Sequence, residues 1–383
     1  MSVTAALGFR AAGVTAGLKA SGTPDVALVV NDGPRQSAAC VFTSNRCKAN
    51  PVLWSEQVVR DGRVQAVVLN SGGANCYTGP AGFQTTHATA ERVAGLVGGG
   101  AGDVVVCSTG LIGVGFDRAR LLAGVDSAYA GLSAEGGRDA AVAIMTTDSH
   151  AKQAAAISAG FTVGGMAKGA GMLAPALATM LVVLTTDADV DAATCDRALR
   201  AATRTTFDRL DSDGCQSTND TVLLMASGAS GTSPAEAVFA EAVRAVCADL
   251  AAQLLGDAEG SAHDIAIEVV GAADEDDAVE VGRAIARSNL FKCAVFGEDA
   301  NWGRALAAVG TTRAAFEPAA LDVRFNGVQV CLAGQAHAPE TDVRFEGRAV
   351  HVVVDLHAGD ATATIRTNDL TTAYVHENSA YSS

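Results

Sequence analysis

Positive charge is scarce in this 383-residue sequence: 27 Lys and Arg stand against 42 Asp and Glu, a formal net charge of -15. A surface for nucleic acid or an anionic membrane needs clustered Lys and Arg to replace released counterions, so both partners are excluded and small polar substrates fit better. Long apolar runs are also missing. The longest, Met172 to Leu184, contains Pro175 and falls short of the roughly 18 residues that span a bilayer. The first twenty residues lack a basic region followed by an apolar core, so no export and a cytoplasmic location are expected. Nine cysteines occur with no C-x-x-C pair and an odd total, which reads as reduced thiols. No two of the seven histidines are spaced i, i+4, so no dedicated metal centre is expected. Phosphate loops are absent too: no G-x-x-x-x-G-K-[ST] exists, and no G-x-G-x-x-G opens a helix after a strand. "DSDG" from Asp211 begins like a calcium loop but lacks the glutamate at its twelfth position.

What is present is a chain with 49% hydrophobic residues, long enough for two to three domains. Short apolar strands such as Gln65 to Asn70 and Asp103 to Ser108 alternate with helical patterns such as His87 to Val97. This alternation predicts α/β layering. A long amphipathic helix is expected after Ser233 as N-cap and Pro234 at its first position, and Asn301 is expected to cap "WGRALAAVG". Strands follow at "DIAIEVV", "LDVRFNGVQVCL" and "HVVVDL", and a soft domain boundary is placed near Gly260.

Two stretches carry the chemical question. "CSTGLIGVG" from Cys107 follows a buried-looking strand, where backbone N–H groups come free and an oxyanion can bind; composition alone favours an ordinary glycine turn. "KGAGMLAPALATMLVVLTTDAD" from Lys168 runs from a glycine-rich loop into a β-branched strand, with Thr179 at the junction. Taken alone, Thr179 reads as a strand threonine, because a single threonine carries chemistry only beside an activating base.

The wider pattern changes that reading. "CVFTSN", "NSGGAN", "CSTGLIG", "IMTTD", "GMAKGAGMLAPALATML", "STNDT", "EGSA", "NWGR" and the terminal "YVHENSAYSS" occur in one order along nearly the whole chain. The sequence thereby resembles the ornithine acetyltransferase, or glutamate N-acetyltransferase, family of the cyclic arginine-biosynthesis pathway. The resemblance implies a chain that cuts itself between Ala178 and Thr179, leaving Thr179 as an N-terminal nucleophile whose own α-amine serves as base. It implies Thr109 and Gly110 as the oxyanion hole, and Thr146, Lys168, Thr179, Glu259, Asn378 and Ser383 as substrate contacts. It implies an α/β fold of stacked β-sheets between helices, similar to N-terminal-nucleophile hydrolases in architecture but differently connected, with a smaller α/β C-terminal domain. On that plan residues 1–260 form the catalytic core and residues 261–383 a C-terminal domain whose tail returns to the site.

The implied reaction is ping-pong acetyl transfer from N2-acetyl-L-ornithine to L-glutamate, without cofactor, by a heterotetramer of two cleaved chains of each kind. Acetyl-CoA as a second donor stays open. So do a diverged amidase or aminopeptidase in which water resolves the acyl-enzyme, an acyltransferase with a different acceptor, and a non-enzymatic scaffold that stays intact. The sequence departs from the family at His263, where lysine is usual, at Ala300, where proline is usual, and at Ala151 before Lys152; it also lacks the usual proline after the oxyanion turn. These departures would leave the catalytic groups in place and alter the acceptor side, although a surface position is the ordinary expectation for His263.

Overall fold

The computed structural model describes residues 2–173 and 180–380. Among them, strands form three sheets. The first has the order β1 (Phe9–Val14), β2 (Val26–Asn31), β4 (Ala66–Asn70), β5 (Val104–Ser108), with β4 and β5 parallel. The second has the order β3 (Ser37–Phe42), β9 (Thr221–Ala226), β8 (Leu181–Thr186), β7 (Phe161–Lys168), β6 (Lys152–Ser158), with β8 and β9 parallel. Each parallel pair is joined through a helix, as a parallel connection requires: α2 (Gly79–Val97) for β4 to β5 and α5 (Ala192–Thr205) for β8 to β9. The helix α1 (Asn50–Val58) precedes β4, and α3 (Arg118–Ala130) and α4 (Gly137–Ala143) follow β5.

The two sheets stack because their strands are apolar on both faces. Val67, Leu69, Val105 and Cys107 of the first sheet share one buried cluster with Leu181, Val183, Leu223 and Met225 of the second. Alternate residues point the other way. Val68 and Val106 pack on Val93 of α2 and Val125 of α3. Val182, Leu184 and Leu224 pack on Leu199 of α5 and on Val246 and Leu250 of α6 (Glu236–Gly256). The result is a helix–sheet–sheet–helix sandwich, the α/β layering expected from the sequence. Leu184 is fully buried under α6, so Leu184→Ala is expected to destabilise the protein by about 2–5 kcal/mol. Urea unfolding of the two proteins measures this, and a loss below about 1 kcal/mol would contradict the packing.

Residues after 264 build the third sheet, in the order β13 (Gln335–Ala336), β12 (Val328–Leu332), β11 (Asp322–Phe325), β14 (Ala349–Asp355), β10 (Asp264–Ala272), β15 (Ala361–Asn368). Its cover is α7 (Glu275–Ala286), α8 (Asn289–Phe296) and α9 (Trp302–Val309), which contribute Val281, Phe291 and Val309 to a separate core. Asn301 caps α9 as expected, its side chain accepting from the Arg304 N–H at 3.2 Å. The expected cap of the long helix is corrected: α6 starts at Glu236 after Ala235, not at Pro234 after Ser233. Thr232 is bonded to Asp189 N and to the Gly160 carbonyl, which keeps the chain extended past Ser233. The seam to the third sheet is polar: Asp211 N donates to Arg366 O, and Arg287 pairs with Asp211. A last helix, α10 (Thr372–Ala380), returns to this seam, where the Thr371 hydroxyl donates to the Gly260 carbonyl. No helix among the described residues is long and apolar enough to cross a membrane.

Candidate active site

The site is built at one end of the sandwich, where the two stacked sheets stop together. In the first sheet, Asn70 and Ser108 are opposite one another at the ends of β4 and β5, and the chains beyond them form two facing turns. Gly73 N donates to Thr109 O at 2.9 Å and Thr109 N to Asn70 O at 2.9 Å. The turns are braced by Asn219, whose Nδ2 donates to Ser108 O at 2.8 Å and Ala74 O at 2.6 Å. Gly110 has φ +129°, and a Cβ there would lie 2.5 Å from Gly73 N, so the close approach admits glycine alone. Among the described residues the Gly110 N–H meets no acceptor. A free backbone donor beside a hydroxyl donor is the equipment of an oxyanion hole.

In the second sheet β7 ends at Lys168, opposite Leu181 of β8. The Lys168 ammonium is buried and donates to the hydroxyls of Thr146 at 2.7 Å and Thr109 at 3.3 Å. Its third neighbour is the Asp148 carboxylate, 4.0 Å away. Burial pushes the pKa of Lys168 down, and Asp148 opposes the shift. Asp148 is itself enclosed. Its Oδ1 accepts from Lys152 Nζ at 2.7 Å and Gly169 N at 2.6 Å, and its Oδ2 from Thr146 N at 2.9 Å. Burial works to raise its pKa, but the Lys168 and Lys152 ammoniums and these donors prevail and hold it at about 2. The carboxylate therefore stays ionised at neutral pH, and Lys168 keeps a counter-charge.

Beyond Lys168 the glycine loop meets the turn that follows α6. Glu259 N donates to Ala170 O at 3.0 Å, and a Cβ on Gly171 would sit 2.6–2.8 Å from the Glu259 carboxylate atoms. Gly171→Ala is accordingly expected to displace Glu259 and raise KM for an amine-bearing substrate about tenfold with a smaller change in kcat. Steady-state kinetics reads this, and an unchanged KM would sever Glu259 from binding. Glu259 also borders a cavity of about 350 Å³ lined by Ser212, Asp213, Lys292, Asp369 and Tyr374, so a small polar molecule has room beside it.

Thr109, Gly110, Thr146 and Lys168 thus stand together, and Glu259 stands across the glycine loop from them. Asn378 lies on the exposed side of α10, its Nδ2 donating to Tyr374 O at 3.1 Å. Ala178, Thr179 and Ser383 lie outside the described residues. His263 is not on the surface as expected. It is buried, with its backbone N–H donating to Asp369 Oδ1 and its Nδ1 2.8 Å from Asp369 Oδ2, and its ring meets Phe345 edge-on with the centroids 6.2 Å apart. Ala300 is buried in the core of the third sheet.

Sequence reading did not single out Asp148, Asn219 or Asp220. Asp220 is fully buried and accepts from Met180 N at 3.0 Å, one peptide unit beyond Thr179. Burial pushes its pKa well above the usual carboxylate range, and its second oxygen has no hydrogen-bond partner among the described residues. The signal was there in outline: "IMTTD" and "STNDT" each place an acid beside threonines ahead of a strand, four residues before β6 in the first case and directly before β9 in the second.

Known proteins bear on this geometry. A curated protein of Streptomyces coelicolor, the arginine biosynthesis bifunctional protein ArgJ, is 66% identical over 383 residues, covering 100% of both chains. The protein of that name from Mycobacterium tuberculosis is 56% identical over 391 residues, covering 100% of this chain and 96% of its own. A solved ornithine acetyltransferase of Mycobacterium tuberculosis, complexed with ornithine, is 54% identical over 47% of this chain and 96% of its own, with a TM-score of 0.44. A model of the ArgJ family matches residues 10–383, and the chain belongs to that family.

Proposed function

We propose that this protein is an acyltransferase of arginine biosynthesis that moves an acetyl group from N2-acetyl-L-ornithine to L-glutamate through an acetyl-threonine at Thr179. The name carried by relatives matched over 100% and 96% of their length supports the pathway. The observation that carries the mechanism is the meeting of the Thr109 hydroxyl, the Gly110 N–H, which meets no acceptor among the described residues, and the buried Lys168 ammonium at the sheet end from which Met180 leads into β8.

The chain first matures. The Thr179 hydroxyl attacks the Ala178 carbonyl, the acyl group moves from nitrogen to oxygen and so frees the Thr179 α-amine, and water then hydrolyses the ester to release the Thr179 hydroxyl and the Ala178 carboxylate. That amine has a reference pKa of about 7.7–8.0, so near neutral pH a useful fraction accepts the hydroxyl proton. In the first half-reaction the Thr179 oxygen attacks the acetyl carbon of acetylornithine. Thr109 and Gly110 donate to the resulting oxyanion, the C–N bond breaks, and ornithine leaves with the proton. In the second, the amine of glutamate attacks the acetyl ester and regenerates Thr179. Lys168, backed by Thr146, suits the substrate carboxylate, and Glu259 suits an amine. On this reading Asn378 and Ser383 are further substrate contacts.

The same reading takes residues 1–260 as the core and 261–383 as a second domain, in a cytoplasmic heterotetramer of two chains of each kind. Acetyl-CoA is not needed for the cycle. Mass spectrometry of the 179–383 fragment, quenched after mixing with acetylornithine alone, is expected to show one added acetyl group and one equivalent of ornithine released. Ornithine release that waits for glutamate would remove the covalent intermediate. Steady release of free acetate without glutamate would make the protein an amidase.

A further inference from the structure

Lys168 is the inner end of a buried row of alternating charge. Asp148 lies 4.0 Å from it, Lys152 Nζ 2.7 Å from Asp148 Oδ1, and Asp257 Oδ2 2.5 Å from Lys152 Nζ. The side chains of Asp148 and Lys152 have no exposure and that of Asp257 has 7%. Asp257 follows the end of α6 and precedes Glu259 by two residues. The row therefore starts on the Lys168 ammonium and finishes on the turn that carries the Glu259 carboxylate. Backbone bonds close the ring: Gly169 N donates to Asp148, and Glu259 N donates to Ala170 O. The two ends are near enough for the charge of Glu259 to act on Lys168.

Holding β6 against α6 does not require ions. Well-packed apolar side chains serve as well or better, since burying two charges costs more than a modest pair returns. What a row of paired charges adds is a fixed distance, because each inner member, Asp148 and Lys152, is held by two partners of opposite sign. We propose that the row Lys168–Asp148–Lys152–Asp257 sets the separation between the Lys168 ammonium and the Glu259 carboxylate, and thereby the length of amino-acid derivative the site accepts. Asp148, Lys152 and Asp257 are positioning residues on this account, which rests on the assignment of Lys168 to a substrate carboxylate and Glu259 to an amine. A side chain one methylene longer is rejected because its amine overshoots a carboxylate that cannot move.

The test is the ratio of kcat/KM for N2-acetylornithine to that for N2-acetyllysine, one methylene longer, at saturating glutamate. One methylene in a shaped site gives a preference of roughly 10–200-fold, and the unaltered enzyme is expected to show it. Asp257→Asn keeps the hydrogen-bond acceptor and removes the outermost charge, so it is the variant least exposed to a folding defect. It is expected to lower the ratio at least about fivefold through KM, with kcat for acetylornithine within about threefold. Lys152→Arg, which keeps the charge and changes its reach, is expected to lower the ratio as well, while Asp148→Asn lowers the ratio and kcat together. A purely structural row predicts lower melting temperatures and an unchanged ratio, and that result in Asp257→Asn overturns the proposal even if the inner variants fail to fold. An unaltered enzyme that moves no acetyl group refutes the assigned reaction, and the inference falls with it. Acetyl transfer without length preference refutes the inference alone.

Discussion

Thr179→Ala protein is expected to remain a single chain of 383 residues, whereas the unaltered protein is expected to separate into fragments of residues 1–178 and 179–383. The variant loses two things at once. Without a hydroxyl no acyl shift takes place at the Ala178 carbonyl, so the α-amine is never freed; and without that amine and hydroxyl the acetyl group has neither nucleophile nor base. Acetyl transfer should fall on the order of 10⁴-fold or more, the scale on which loss of a nucleophile acts. Thr179→Ser keeps an oxygen in place and is expected to cut and to transfer, more slowly. Denaturing electrophoresis followed by N-terminal sequencing reads the first effect. A C-terminal fragment that begins at any residue other than Thr179 would refute the assignment, as would a Thr179→Ala protein that still divides.

The apolar strands were the most legible part of the fold. "QAVVLN", "DVVVCS" and "MLVVL" have no polar face, which is how strands read when sheets or helices cover both sides, and they became β4, β5 and β8 in the middle of the sandwich. The start of α6 was less legible, because Ser233 and Pro234 have the local chemistry of a helix start while Thr232 is pinned by contacts far away in sequence. The candidate site divided in the same way. Thr109, Gly110 and Lys168 stood out through the motifs that carry the family resemblance. Asp148 did not, since its importance comes from burial between two lysines, and burial is a property of the assembled sheet. His263 shows the opposite error: histidine is often exposed, but Asp369, 106 residues later, supplies the partner that lets it be buried.

Thr109→Ala is expected to slow acetyl transfer by about 2.7–4 kcal/mol of barrier, or 10²–10³ in kcat, the cost of one donor lost from an oxyanion hole. The effect should fall on kcat and not on KM. Thr109 Oγ1 accepts from Lys168 Nζ at 3.3 Å, which leaves its own hydrogen to point elsewhere. Removing the hydroxyl takes one of the Lys168 partners, but Thr146 at 2.7 Å and the Asp148 carboxylate still hold the ammonium. Ground-state binding through Lys168 therefore survives, and what is lost is an interaction made as negative charge develops. Thr109→Ser restores the hydroxyl and should recover most of the rate. Gly110→Ala should be as damaging for a different reason: its Cβ would lie 2.5 Å from Gly73 N, so the turn must open and the Gly110 N–H is turned away from the oxyanion. Single-turnover measurement of ornithine release separates the acetylation step from product release. A Thr109→Ala enzyme with unchanged acetylation rate and raised KM would make Thr109 a binding residue and leave the oxyanion to Gly110.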